Sequence, residues 1–283
     1  MGARAQAMVL AAGRGERMRP LTDAMPKPLL PVRGRPLMQW TLEALARGGF
    51  HDVLVNTAWL GEQVPARFGT RFGDLSLSYS HEGEDFGGAL ETAGGIVRAL
   101  PRLADVFWVA AGDVFAPQFE FTQQAVARFE GSGRLAHLWL VPNPEHNPRG
   151  DFGIESDGTA VSRPAEGAPS HTFSTIGLYR AEFFAPPGCE IAPANTGGVK
   201  AALAPMLRAA MAEGLVTAEL YEGPWTDVGT PQRLAAANAA GGWSVRPLLR
   251  QKEASGTDAA GFFIWRTVTR GHRSAVITAR SRR

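Results

Sequence analysis

Three arginines, Arg14, Arg17 and Arg19, fall within six residues of one another in the run Leu10-Ala11-Ala12-Gly13-Arg14-Gly15-Glu16-Arg17-Met18-Arg19-Pro20-Leu21-Thr22. Small residues after a buried apolar run let backbone N–H groups approach a phosphate chain. Guanidinium groups grip phosphate oxygens in pairs. The same residues also suit a tight turn with solvated arginines. A dinucleotide fingerprint is excluded, because Met18 stands where its third glycine belongs. Lys27 lies between Pro26 and Pro28, and the chain has only three lysines against 26 arginines. Proline fixes φ and removes donors, so the flanking pair presents Lys27 stiffly; a rigid connector with an exposed lysine is the other reading. Asp113 follows the apolar run 106–111, and Asp227 stands in Trp225-Thr226-Asp227-Val228-Gly229-Thr230. Carboxylates are the ligands that a hard cation such as Mg²⁺ takes. Singly, each also reads as a turn or loop acid. Together, beside a phosphate loop, they are the minimum for phosphoryl-type transfer.

Positioning these groups needs a scaffold, and the hydrophobic pattern describes one. Residues 7–11, 53–55, 75–79, 106–111 and 136–141 read as strands. Residues 36–47, 60–68, 92–100 and 118–129 have the helical period, with Gly48-Gly49 ending the first. This alternation predicts an α/β fold, a Rossmann-like mixed, mainly parallel sheet flanked by helices. After Asp151 the pattern changes. Short strands at 152–155, 172–179 and 216–221 surround one helix at 199–213, giving a smaller α+β part. Thr230-Pro231 reads as the cap and first turn of a last helix reaching 240. In an open parallel sheet ligands bind beyond the carboxyl ends of the strands, which is where Gly13 and Asp113 fall.

Composition bounds the function. The chain has 283 residues, 45% of them hydrophobic, enough for a sizeable core. No uncharged apolar run approaches the ~18 residues of a membrane span, and the expected location is the cytoplasm. The single cysteine, Cys189, and six scattered histidines give no disulfide and no zinc cluster. His146 reads as a loop histidine and Trp225 as packing beside Asp227. The net charge of +2 hides an asymmetry: residues 241–283 hold nine basic side chains against two acidic ones, and the remainder is mildly acidic. No nucleic-acid partner is therefore expected for the main body. The basic extension, with its Phe262-Phe263-Ile264-Trp265 cluster, is expected to be dispensable for catalysis.

Residues 11–22, 26–29, 112–113 and 227–230 match, in order, a small-residue loop ending R-P-L-T, then P-K-P-L, G-D and D-V-G-T. In these motifs the chain resembles the sugar-1-phosphate nucleotidyltransferases over about residues 5–240. The resemblance implies a nucleotidyltransferase domain at 1–240, with a nucleotide-binding part at about 5–142 and a sugar-phosphate-binding part at 143–240. It implies Mg²⁺-dependent transfer of a nucleoside monophosphate from an NTP to a sugar 1-phosphate, by a monomer or homodimer. Leu90-Glu91-Thr92-Ala93-Gly94-Gly95 and Asn143-Pro144-Glu145-His146 point within the family to UTP and N-acetylmuramate 1-phosphate, hence to cell-wall recycling. GTP with mannose 1-phosphate is the alternative, as is a nucleotide-sugar-binding homologue without turnover. Implied roles are nucleotide binding for Ala11, Ala12, Gly13, Arg14, Gly15, Glu91, Gly94 and Gly95, and catalysis for Arg17 and Lys27. Asp113 and Asp227 would hold Mg²⁺. Asn143, Gly150, Asp151, Gly177 and Lys200 would hold the sugar phosphate. The chain departs from the family pattern at Ala111, where asparagine is common, and at Thr175, where glycine is usual. Ala202 replaces a lysine, leaving Lys200 as the substitute two residues earlier, and residues 85–89 look like a small insertion.

Overall fold

The computed structural model describes residues 4–239. The basic extension at 241–283 lies outside them. In chain order the first half contains β1 (Ala5–Ala11), a hairpin of β2 (Pro31–Val32) and β3 (Arg35–Pro36), α1 (Leu37–Arg47), β4 (Asp52–Thr57), α2 (Gln63–Phe68), β5 (Arg71–Phe72), β6 (Leu75–His81), α3 (Glu82–Phe86), α4 (Glu91–Ala99), β7 (Leu103–Ala111), β8 (Val114–Phe115) and α5 (Gln123–Glu130). The second half adds β9 (Ala136–Val141), β10 (Phe152–Ile154), β11 (Ala160–Val161), β12 (Ser170–Arg180), α6 (Leu203–Ala212), β13 (Val216–Leu220), β14 (Thr226–Asp227) and α7 (Pro231–Ala239).

The main sheet runs β11-β10-β12-β7-β1-β4-β6-β5, and β9 pairs with both β12 and β13. The strands β7, β1, β4 and β6 are mutually parallel, and β12 enters antiparallel beside β7. A parallel core must be covered on both faces, and its two central strands, β1 and β7, are apolar throughout residues 7–11 and 106–111. Alternation then sorts the side chains into two clusters. Met8, Leu54 and Val109 lie across from one another and pack with Ile96, Leu203 and Leu207 of α4 and α6. Their neighbours Val9, Val55 and Ala110 turn the other way, into a cluster with Met38, Leu42 and Leu45 of α1 and with Trp108.

The pairing aligns the carboxyl ends of three strands. Ala11 lies opposite Thr57, and Leu10 opposite Ala111. The chain leaves β1 to one side, building β4 and β6, and later returns to place β7 on the other. That reversal sits between β1 and β7, where an α/β sheet opens a crevice.

Three helices are shorter than their periodicity predicts. The pattern at 118–129 becomes a helix only from Gln123, because Thr122 caps it, accepting from the Ala125 N–H at 3.1 Å. Phe119 and Phe121 are used instead against Trp108. The pattern at 199–213 starts at Leu203, because the Ala201 carbonyl accepts from the N–H groups of Ala93 and Gly94 at the start of α4. The helix expected over 60–68 begins at Gln63, after Leu60 in a left-handed conformation with φ +47°. The supposed insertion at 85–89 is partly the short helix α3.

Trp108 is fully buried, with ring centroids of Phe121 at 5.0 Å and Trp139 at 4.7 Å, and its indole N–H has no partner. Trp108→Ala should lower the unfolding free energy by about 3–5 kcal/mol in urea denaturation. Trp108→Phe should cost clearly less, since it keeps most of the ring and discards an unsatisfied donor.

Candidate active site

A cleft of about 640 Å³ opens at the aligned strand ends. The end of β1 and its loop supply Ala11, Ala12 and Gly13. Lys27 and Pro28 come from the proline-flanked turn, Glu91 and Thr92 from the start of α4, and Asp113 from beyond β7. Asp151, Phe152, Phe173 and Thr175 form the opposite wall, with α6 contributing Leu207 and Arg208. The topology therefore brings Ala11, Ala12, Gly13, Lys27, Glu91, Asp113 and Asp151 to one cavity.

Lys27 is nearly buried and forms an ion pair with Asp113. Asp227 lies beside Asp113 on β14 but does not itself line the cleft. The pair β14–β8 sets Asp227 opposite Val114, and the Val228 N–H donates to the Asp113 carbonyl at 2.9 Å. The Asp227 Oδ1 atom takes Arg233 Nη1 at 2.7 Å and His146 Nε2 at 2.8 Å. His146, which reads in sequence as a plain loop residue, thus touches a site carboxylate, and Arg233 joins it from α7. Nothing in the sequence pattern links positions 146, 227 and 233; a position three residues into the Thr230-capped helix is the one signal for Arg233. Asp113 Oδ1 and Asp227 Oδ2 have no hydrogen-bond partner among the described residues. Two hard-oxygen donors on neighbouring strands suit a divalent cation that completes its shell with phosphate and water. No group of three or more His, Cys, Asp or Glu side chains is placed for a metal among the described residues.

Other predicted residues stand behind the walls. Arg14 lies over the Trp59 ring at 3.5 Å and donates to the Thr22 carbonyl at 3.2 Å. Arg17 is exposed, with no hydrogen bond or ion pair to another described residue. Gly15, with φ +67°, lets its loop lie on Thr22 and Lys27, whose side chains a Cβ would meet at 3.0 and 3.3 Å. Gly94 and Gly95 are buried in α4 and do not line the cleft. A Cβ on Gly94 would meet the Val199 carbonyl at 2.5 Å, so that residue serves close packing. Asn143 braces β12, donating to the Ser170 carbonyl at 2.9 Å and accepting from the Thr172 hydroxyl at 2.9 Å. Gly150 packs on Asn143, and Gly177 lies within β12 opposite Val109. Asp151 is anchored by the Phe173 N–H at 2.8 Å.

Lys200 is exposed and does not line the cleft, whereas Ala202 does. The cation on that wall is Arg208, lying 5.0 Å over the Phe152 ring. Its signal was present: once α6 begins at Leu203, positions 204 and 208 share a helix face, and Ala204 also lines the cleft.

A mainly parallel sheet with a small-residue loop and Asp113 at its crevice is the arrangement in which open α/β folds bind ligands. A family model described as Nucleotidyl transferase matches residues 6–241, and the chain belongs to that family. Over 247 residues it is 45% identical to the N-acetylmuramate alpha-1-phosphate uridylyltransferase of Neisseria meningitidis serogroup B, covering 84% of this chain and 99% of the relative. It is 29% identical to the Caulobacter vibrioides protein of the same name, covering 82% and 95%. It is 26% identical to the mannose-1-phosphate guanylyltransferase catalytic subunit beta of Xenopus tropicalis, covering 80% and 62%. The UDP-glucose pyrophosphorylase of Acinetobacter baumanii shares the fold, with a TM-score of 0.63 at 15% identity over 83% of this chain and 92% of that one.

Two cleft residues, Glu91 and Thr175, hold positive φ values of +60° and +62°. At Thr175 the conformation marks a shift of β12 register between Phe173 and Ile176, and it explains why glycine is usual there. A left-handed conformation costs an L-residue about 1–2 kcal/mol. Thr175→Gly should therefore raise stability by up to about 1 kcal/mol, after the extra freedom of glycine in the unfolded chain is subtracted. Thermal unfolding checks it, and a lower midpoint would contradict the strain.

Proposed function

We propose that this chain transfers UMP from UTP to N-acetylmuramate 1-phosphate, releasing pyrophosphate, in the cytoplasm and in the service of cell-wall recycling. The observation that carries the reading is the 45% identity across 99% of the Neisseria uridylyltransferase, joined to a cleft that holds the matching residues. The absence of any helix among the described residues long and apolar enough to cross a membrane agrees with it.

An oxygen of the sugar phosphate attacks the α-phosphorus, the new P–O bond forms opposite the pyrophosphate, and the bond to pyrophosphate breaks. The attacking oxygen is already anionic, so no general base is needed. Catalysis then reduces to orientation and charge neutralisation. The backbone at 11–15 cradles the nucleotide phosphates, and Lys27 neutralises charge at the α-phosphate. Arg17, without a partner among the described residues, folds onto the departing pyrophosphate. Glu91 faces the base. Asp151 orients the acceptor, and Arg208 supplies the sugar-side positive charge in place of the lysine that Ala202 replaces. Asp113 and Asp227 hold Mg²⁺, which supplies charge neutralisation at the phosphates when bound. Lys27, His146 and Arg233 hold those carboxylates in orientation.

Pyrophosphate release across four NTPs and a panel of sugar 1-phosphates tests the assignment. UTP with N-acetylmuramate 1-phosphate should give the highest kcat/KM; a higher value for GTP with mannose 1-phosphate would replace it. Asp113→Asn and Asp227→Asn should each abolish turnover with the circular dichroism spectrum unchanged, because an amide is a poor substitute for an anionic ligand. Near-normal rates in both at millimolar Mg²⁺ would remove the metal assignment. Arg17→Ala should cut kcat by a factor on the order of 10², the loss typical of one charge-stabilising donor. A change in the Michaelis constant for UTP alone would assign Arg17 to ground-state binding.

A further inference from the structure

Behind the cleft wall runs a buried polar chain that the chemistry above does not use. Glu82, fully buried at the start of α3, accepts through both carboxylate oxygens: from Asn56 Nδ2 at 2.7 Å and from the Leu90 N–H at 2.8 Å. Asn56, at the end of β4, accepts from the Ala11 N–H at 2.8 Å. The polarity of this chain is forced from both ends. Ala11 and Leu90 present backbone N–H groups, which only donate. Ala11 turns the Asn56 oxygen toward itself and so aims the Asn56 amino group at position 82. A carboxylate, which has acceptors on both oxygens, meets that amino group and the Leu90 N–H together. Glutamine cannot, since its amide nitrogen would face one of the two donors. Gly95 belongs to the same arrangement: a Cβ there would lie 2.5 Å from Glu82 Oε1 and 3.0 Å from Asn56 Nδ2.

We propose that Glu82 is the positioning residue that fixes the nucleotide end of the cleft, acting through Asn56 on Ala11 and through Leu90 on Glu91. The proposal rests on the cleft being the nucleotide site argued above. Ala11, Asn56 and Glu91 all line that end, and Glu91 leaves Leu90 with its φ of +60°. One carboxylate therefore sets the distance between the β1 loop and the start of α4. Burial pushes the Glu82 carboxyl up, while the Leu90 and Asn56 hydrogen bonds and the Arg98 charge pull it back. Burial outweighs them, and the net direction is upward.

The test exploits polarity. Glu82→Gln introduces a donor against a donor. Adding Asn56→Asp reverses the middle of the chain and restores every bond. The new amide oxygen accepts from Leu90, its amino group donates to the new carboxylate at 56, and that carboxylate accepts from Ala11. Binding of the four NTPs with Mg²⁺ is measured by calorimetry, beside the Michaelis constants for UTP and the sugar 1-phosphate. Glu82→Gln should weaken UTP binding on the order of tenfold, the scale of one unsatisfied buried group, and narrow the preference among bases. The constant for the sugar 1-phosphate should stay within about twofold, and the double variant should return UTP binding to within about threefold of wild type. Unchanged UTP binding in Glu82→Gln overturns the proposal. So does an equal loss toward both substrates that the double variant fails to rescue. If Glu82→Gln alone does not fold, a folded double variant with wild-type UTP binding supports it, and failure of both to fold overturns it. A wild type that binds UTP but ignores every sugar 1-phosphate removes the proposed reaction and leaves this inference standing. A wild type that binds no NTP removes both.

Discussion

The strand β1 has a parallel neighbour on each side and apolar packing on each face, and the rest of the molecule follows from that. Its backbone groups are consumed by β4 and β7, and its side chains by two hydrophobic clusters. No polar chemistry fits along its length. Everything the site needs must come from where the strands stop, at Ala11, Thr57 and Ala111, and from segments that lie over those ends. This is why Lys27, Glu91, Asp113 and Asp151, far apart in sequence, meet in one cleft.

The charges there are arranged before any substrate arrives. Asp113 has Lys27, and Asp227 has Arg233 and His146. Each carboxylate retains one oxygen without a partner among the described residues, and each is held by a cation that limits its motion. Ordering these groups in advance means less reorganisation when phosphate charge enters. The Val228 N–H bond to the Asp113 carbonyl ties the two segments that carry these carboxylates together.

How much of this is legible in the sequence depends on the range of the interaction that decides it. The strands β1, β4, β6, β7, β9, β10, β12 and β13 and the helices α1, α4 and α7 follow from local periodicity, because burial on both faces or on one face writes itself into consecutive residues, whereas the two-residue strands β2, β3, β5, β8, β11 and β14 leave no such pattern. The loop at 11–15, Lys27 and Asp113 are legible because a small-residue turn, a proline pair and a strand end are local features. The partners of Asp227 are not: His146 is 81 positions away and is placed by the connection between β9 and β10. The start of α6 is misjudged by pattern alone, because the Ala201 carbonyl is engaged by α4 rather than by its own helix. Lys200 is a local guess that fails to line the cleft for the same reason. With the helix beginning at Leu203, position 200 falls on an exposed connection and Arg208 takes the wall. Gly94 and Gly95 show the opposite error. Their glycine character is visible, but it reflects the close approach of Val199 and Glu82 rather than of a ligand.

The ladder between β14 and β8 is only two residues long, joining Thr226 to Phe115 and Asp227 to Val114. Its weight is temporal. During synthesis the strands from β1 to β7 emerge first, together with the phosphate loop, Lys27 and Asp113. The second carboxylate and Arg233 arrive more than a hundred residues later. A nascent chain on the ribosome can therefore build most of its central sheet while its two acidic groups are still unmatched. Competence is assembled last, by the segment that clasps onto β8, so an interrupted translation product would carry the fold's early half without the chemistry.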